Sequence, residues 1–315
     1  MDDNTASPDS TVSPQQMDRA SAGRLMKLAT YAAVGVASTL IVVKFAAWLM
    51  TDSVSLLSTL IDSFLDVAAS TVNLLAVRHA LEPADEEHRF GHGKAESLAG
   101  LAQSAFISGS AVFLLLQAGE RLFNPSPVLN TAIGYGVMVF SIVATLALVG
   151  FQKYVAKRTQ SMAIAADSAH YTMDVLVNIS VIVSLFLASE MGWQIADPLF
   201  AIAISFYILH GAYEIGIEAY HVLMDRELPD DDREKIRTLA MKHPQVMSMH
   251  DLRTRQSGPD VFIQMHLEMS GELSLIEAHD IAEDVMHRVE AAYPRAEVLI
   301  HEDPAGIEED HAFED

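Results

Sequence analysis

The sequence predicts a mainly α membrane protein, a six-helix transmembrane bundle followed by a small C-terminal cytoplasmic α+β domain. Three observations carry that prediction. Of the 315 residues, 50% are hydrophobic, and they crowd into the part before residue 225. Within that part lie six stretches of roughly 20 residues, each long enough at helical rise to cross about 30 Å of hydrocarbon. Beyond Leu228 the pattern changes to short alternating and helix-periodic runs of the kind soluble elements show.

The chain opens on a polar tail, residues 1–22, with Asp2, Asp3, Ser7, Pro8, Ser10 and Pro14. It lacks the basic-then-apolar order of a cleaved signal and reads as a disordered cytoplasmic segment. The six apolar stretches follow at 27–50, 53–79, 97–121, 129–155, 162–189 and 195–223, within a membrane domain of residues 23–225. Arg19, Arg24 and Lys27 precede the first, Arg78, Arg89 and Lys94 surround the second connection, and Lys153, Lys157 and Arg158 follow the fourth. Only Arg121 stands on the other side. Basic flanks stay cytoplasmic, so both termini are expected in the cytoplasm.

At Leu228-Pro229-Asp230-Asp231-Asp232 the apolar region ends with a proline suited to a helix first turn and acids suited to its dipole. Residues 231–242 read as a helix, Val246 to Gln256 and Val261 to Met269 as strands around a Ser257-Gly258-Pro259 turn, 274–292 as a second helix, and Ala296 to His301 as a last strand. That α-β-β-α-β order suggests helices covering one face of a three-stranded sheet, in a domain of residues 226–306. Phe262, Gln264, His266 and Glu268 fall on one face of the second strand, opposite Val261, Ile263, Met265 and Leu267. An acidic tail, 307–315, closes the chain.

The net charge of -22 argues against a phosphate-binding surface, and no nucleic acid partner is expected. There is no cysteine, so disulfides, thiol catalysis and Cys-type zinc sites are excluded too. Any zinc site must use His and carboxylates.

The second stretch contains Asp62 and Asp66 and the fifth contains His170 and Asp174, each pair four residues apart and therefore on one helix face. An ionisable residue at membrane depth costs about 2.5–3.5 kcal/mol on insertion scales, so four of them need partners or a task. Two such pairs can converge into three oxygens and one imidazole nitrogen, a tetrahedral zinc-type shell. Three carboxylates overcompensate a divalent ion, and an imidazole titrates near physiological pH, which opens a route to proton-for-metal exchange. Mutual pairing or pairing with Lys44 is the purely structural alternative. Asp167, one turn before His170, is open between an outer ligand, a pathway residue and a helix-start acid, and Asn73, Asn178 and Asp52 carry weaker signals.

Between the second and third stretches, Asp85, His88 and His92 fall within eight positions of Asp85-Glu86-Glu87-His88-Arg89-Phe90-Gly91-His92. They suit either a three-ligand site with room for water or a plain polar loop. Gly91 and Gly93 indicate a turn that comes close to another backbone. His79, His210, His221 and His311 have no matching partners in sequence and receive no site.

Phe90-Gly91-His92-Gly93-Lys94-Ala95-Glu96, the two intramembrane pairs, and His250-Asp251-Leu252-Arg253-Thr254-Arg255 together resemble the cation diffusion facilitator family, in its bacterial zinc and ferrous-iron efflux branch. The likeness runs from about residue 24 to 304. It implies a homodimer in the lipid bilayer of the bacterial inner membrane, with a metallochaperone-like cytoplasmic domain, exporting Zn2+ and often Cd2+ against inward proton flow. It implies a transport site of Asp62, Asp66, His170 and Asp174, a loop site of Asp85, His88 and His92, and a binuclear cytoplasmic site of His250, His266, His279, His301 and Asp303, where Zn2+ is structural or regulatory. Glu302 stands where the family commonly has Gln, which matters little if the backbone carbonyl is the ligand. Lys94 and Asp225 match a charge pair that ties the two domains together near the dimer interface.

No covalent chemistry is required of such a chain, and it lacks the Gly-rich Lys-Ser/Thr phosphate loop of an ATP-driven pump. A transporter of Fe2+ or Mn2+ is the nearest alternative. A membrane-tethered zinc sensor and a passive channel are alternatives of other classes, the latter opposed by a tight four-ligand shell.

Overall fold

A computed structural model describes residues 19–51, 54–123, 132–191 and 195–306. The expected tail before residue 19, the acidic tail from residue 307, Asp52, and the start of the fourth stretch at 129 lie outside them. Among the described residues the membrane part consists of α1 (Arg19–Thr51), α2 (Val54–Ala80), α3 (Lys94–Phe123), α4 (Ala132–Thr159), α5 (Met162–Met191) and α6 (Ala196–Leu223). α1 starts eight residues before its apolar stretch, and α4 runs on through Lys157 and Arg158. Hydropathy marks the part inside lipid, whereas the helix continues into the aqueous boundary wherever nothing breaks it.

Five of these helices, among the described residues, are long and apolar enough to cross a membrane: α1, α2, α3, α4 and α6. α5 has the length, 30 residues, but carries Asp167, His170 and Asp174 within its first half and Asn178 just beyond it. It touches each of the other five helices, and Asp167 and His170 are buried among them. The outer helices instead present Leu49, Phe113, Leu116, Val143 and Phe206 outward.

Helices cannot be drawn together in lipid by the hydrophobic effect, so close packing of small residues does that work. On α1, Ala22, Ala29, Ala33 and Ala37 are buried, and Ala33 joins Leu148 and Val149 of α4 and Tyr171 of α5 in one cluster. α3 and α6 meet through Ile107, Ala111, Ile208 and Ala212. A side chain at Gly216 of α6 would begin 2.9 Å from Ser104 Oγ of α3.

The cytoplasmic part has α7 (Asp230–Ala240), β1 (Ser248–Ser257), β2 (Asp260–Met269), α8 (Leu275–Ala292) and β3 (Ala296–Pro304). The sheet order is β1-β2-β3, antiparallel then parallel. Ile263, Met265 and Leu267 of β2 pack on Ile281, Val285 and Val289 of α8 and Ile236 of α7, as the alternation of β2 requires. Phe262 departs from the expected polar face by being buried. The loop between α2 and α3 covers it: the Phe90 ring meets the Phe262 ring edge-on at 5.4 Å, and the Arg255 guanidinium lies over both.

Ser274 caps α8 through a reciprocal arrangement, its hydroxyl accepting from the Glu277 N–H and the Glu277 carboxylate accepting from the Ser274 N–H. Ser274→Ala is expected to cost about 1 kcal/mol, read as faster hydrogen exchange in the first turn of α8. The Ser274 backbone N–H, followed by its hydroxyl, holds the Glu277 carboxyl below the usual carboxylate range. Its stabilisation is therefore complete above that range and disappears as pH falls through the lowered value. Exchange protection of this turn should decline in acid accordingly.

Candidate metal centre

α2 and α5 meet where each carries its pair four residues apart. His170 is buried, with Nε2 3.2 Å from Asp66 Oδ1 and 3.7 Å from Asp174 Oδ2. Ligand atoms of these three residues lie within 4.8 Å of one another. The imidazole is wedged between Phe106 of α3, with ring centres 5.7 Å apart, and Tyr171, whose hydroxyl is bonded to Ser70 of α2 at 2.7 Å. These contacts fix the ring between the helices that supply the donors.

Asp62 stands one turn before Asp66 and is exposed, outside this group. At that level α2 is tied to α1 instead, where Lys44 Nζ donates to Ser63 Oγ at 2.6 Å and to the Thr59 carbonyl at 3.2 Å. Asp167 is fully buried as the sixth residue of α5, and Gln152 Nε2 of α4 donates to its Oδ2 at 2.6 Å. It is thus an interior neighbour of the group and not a helix-start acid.

The second group lies on the loop before α3. Asp85 Oδ2 is 3.3 Å from His92 Nε2, Asp85 Oδ1 is 3.4 Å from His88 Nδ1, and the two imidazoles are 3.2 Å apart between Nε2 and Nδ1. The His88 N–H, then the Glu87 N–H, donate to the Asp85 carboxylate and hold it below the usual carboxylate range. It therefore stays ionised in mild acid. His79, given no site from sequence, has its ring centre 4.4 Å from that of His92 with the planes tilted by 55°, and meets Glu82 Oε2 at 2.7 Å through Nδ1.

The third group is a consequence of strand register. Opposite residues in the sheet form the row His250, His266 and His301 across β1, β2 and β3. Asp303 Oδ2 is 2.8 Å from His266 Nδ1 and 3.4 Å from His250 Nε2, and its Oδ1 is 3.1 Å from His301 Nε2. Asp303 is buried although the row's outer end is open, since the side chain of His301 is 63% exposed. His279, on α8, is not brought into any of the close groups among the described residues, and its Nε2 is 3.4 Å from Glu283 Oε1.

The loop group is fixed to the cytoplasmic part by backbone and charge. Lys94 Nζ is 2.9 Å from Asp225 Oδ1, which Arg255 also approaches at 3.6 Å. Gly93 lies directly against the Ser257-Gly258 turn, and Gly258 takes φ +58° there. The Thr254 N–H and hydroxyl both donate to Glu227 at the connection after α6.

The family model for the cation efflux transmembrane domain matches residues 30–224, and that for the cytoplasmic domain of cation efflux proteins matches residues 228–305. The chain is 50% identical over 285 residues to the cation-efflux pump FieF of Klebsiella pneumoniae, a match covering 90% of this chain and 95% of that protein. It is 51% identical over 283 residues to the cation-efflux pump FieF of Shewanella oneidensis, with the same shares covered.

Proposed function

The chain belongs to the cation diffusion facilitator family of cation efflux transporters, and from that premise we propose that it exports Zn2+, and Cd2+ with it, from the cytoplasm in exchange for protons. The convergence of Asp66, His170 and Asp174 from two helices inside the bundle carries this reading. Two carboxylates neutralise a divalent ion, and an imidazole supplies the nitrogen that favours zinc over harder ions. Asp62 is the fourth ligand, one turn away on the same helix, and α2 must move relative to α5 for it to close on the ion. Protons reaching the surplus carboxylate compete with the metal and release it. Alternation of α2 between these positions then couples the two flows.

The transport domain is assigned to residues 23–225 and the cytoplasmic domain to 226–306, in a homodimer of the inner membrane with both termini cytoplasmic. Asp85, His88 and His92 bind metal at the loop. His250, His266, His301 and Asp303 bind regulatory Zn2+ on the sheet, and His279 joins them only if α8 shifts. Metal there favours one arrangement of the junction around Lys94 and Asp225, and so links cytoplasmic zinc to transport through differential affinity.

Proteoliposomes test the reading. Zn2+ uptake should move protons the opposite way, and Cd2+ should compete for the uptake. Zn2+ entry without proton movement would remove the antiport. Fe2+ or Mn2+ displacing Zn2+ at equal concentration would hand the site to those metals.

A further inference from the structure

His79 and Glu82 are used by none of the sites above. His79 lies in the last turn of α2 and Glu82 two residues past its end, where the Glu82 N–H donates to the His79 carbonyl at 3.0 Å and holds the two side chains close together. As an exposed pair, with 54% and 58% of their side chains accessible, they would count for little. What distinguishes them is His92. Its side chain is 5% exposed, and its Nδ1 is buried with no hydrogen-bond partner among the described residues. A buried polar atom left unpaired costs free energy that a ligand can return.

The ring of His92 lies between two others, 4.4 Å from His79 and 4.6 Å from His88. Its Nε2 is taken by Asp85 and His88, which leaves Nδ1 for the other side. Ligand atoms of His79, Glu82 and His92 lie within 4.8 Å of one another, the same closeness found for Asp85, His88 and His92. The end of α2 adds its own attraction, because the last carbonyls of a helix favour a cation.

The geometry points to a second metal-ligating set, His79, Glu82 and His92, that shares one divalent cation with the Asp85–His88–His92 set. The count of charges limits the pair of sets to one ion: Glu82 and Asp85 together neutralise a single divalent cation, and a neutral imidazole cannot serve two metals through both nitrogens at once. His92 is the pivot. The cation passes between the exposed His79–Glu82 side and the loop side by exchanging nitrogens of the same ring. Zn2+ and similar borderline ions suit an imidazole-carboxylate set of this kind. This rests on the proposal that Asp85, His88 and His92 bind metal, and it extends that site by two residues.

The test uses the full chain in detergent. Diethyl pyrocarbonate modifies unliganded imidazoles, and peptide mass spectrometry reads each histidine separately at graded free Zn2+. His79 and His88 should be protected over the same range of Zn2+. Glu82→Ala should lower the share of His79 protected at saturating Zn2+ by up to about tenfold, the scale of losing a ligand's support, while His88 stays protected. His79 reacting equally fast with and without Zn2+, where His88 is protected, overturns the second set alone. If neither responds, the loop site falls with it. The unmodified protein decides between these outcomes even if the variant does not fold.

Discussion

In proteoliposomes, His170→Ala and Asp174→Ala should each lower Zn2+ flux about a hundredfold, with proton movement falling in step. The size follows from what the substitutions remove. His170 Nε2 stands between Asp66 and Asp174, at 3.2 and 3.7 Å, so its loss takes away the only nitrogen among these donors and leaves two carboxylates facing each other inside the bundle. Losing even a group that merely supports a ligand costs 10 to 100-fold in metal affinity on the usual scale, and losing the ligand lies at or beyond its upper end. A buried charge stripped of its partner adds to the loss. Asp62→Ala distinguishes a transporter from a tethered sensor, because only a transport role makes flux depend on it. Coupled flux at the wild-type level in both His170→Ala and Asp174→Ala would sink the mechanism.

Gly93→Val should open the junction between the loop and the cytoplasmic domain. A Cβ at Gly93 would stand 2.2 Å from the Ser257 carbonyl oxygen and 2.6 Å from its carbon. Both are backbone atoms, so no side-chain rotation can relieve the contact. Overpacking usually costs about 1–3 kcal/mol, and a clash between two backbones belongs at the upper end. The Phe90–Phe262–Arg255 stack and the Lys94–Asp225 pair should loosen with it, seen as faster hydrogen exchange over residues 254–262 and a reduced flux. Gly91→Ala is the control. Gly91 takes φ +75° but has open space beside it, so that variant brings only the strain of a left-handed alanine, about 1–2 kcal/mol, and should leave the junction closed.

The intramembrane donors were legible in the sequence because helix geometry is local. Residues four apart share a face whatever surrounds the helix, and charge inside an apolar stretch is conspicuous. The same locality made the α-β-β-α-β order and the core face of β2 readable. Gly93 also announced a close backbone approach, though not its partner. The loop glycines showed that a turn was needed, and only the fold brings Ser257 against it.

What escaped the sequence depended on distances between elements. The row His250, His266 and His301 exists because a bulge between His250 and Arg253 and a parallel pairing of β2 with β3 set the register. A shift of one residue would turn the histidines to the other face. Phe262 looked solvent-facing because a strand's alternation cannot know that a loop from another domain covers it. His79 looked partnerless for the same reason: its partner Glu82 is near in sequence, but His92 comes close only through the path of the loop.

Sequence alone therefore determined the long helices and their faces, which residues could offer oxygen and nitrogen donors, and that none of them is a thiol, all properties of spacing and composition. The tertiary structure decided which donors meet. It joined Asp66 to His170 and Asp174 while leaving Asp62 a turn away, paired Asp167 with Gln152, and set His79 against His92. Packing makes those choices, because contact between residues far apart in the chain is set by how helices and sheet fit together and not by any local pattern.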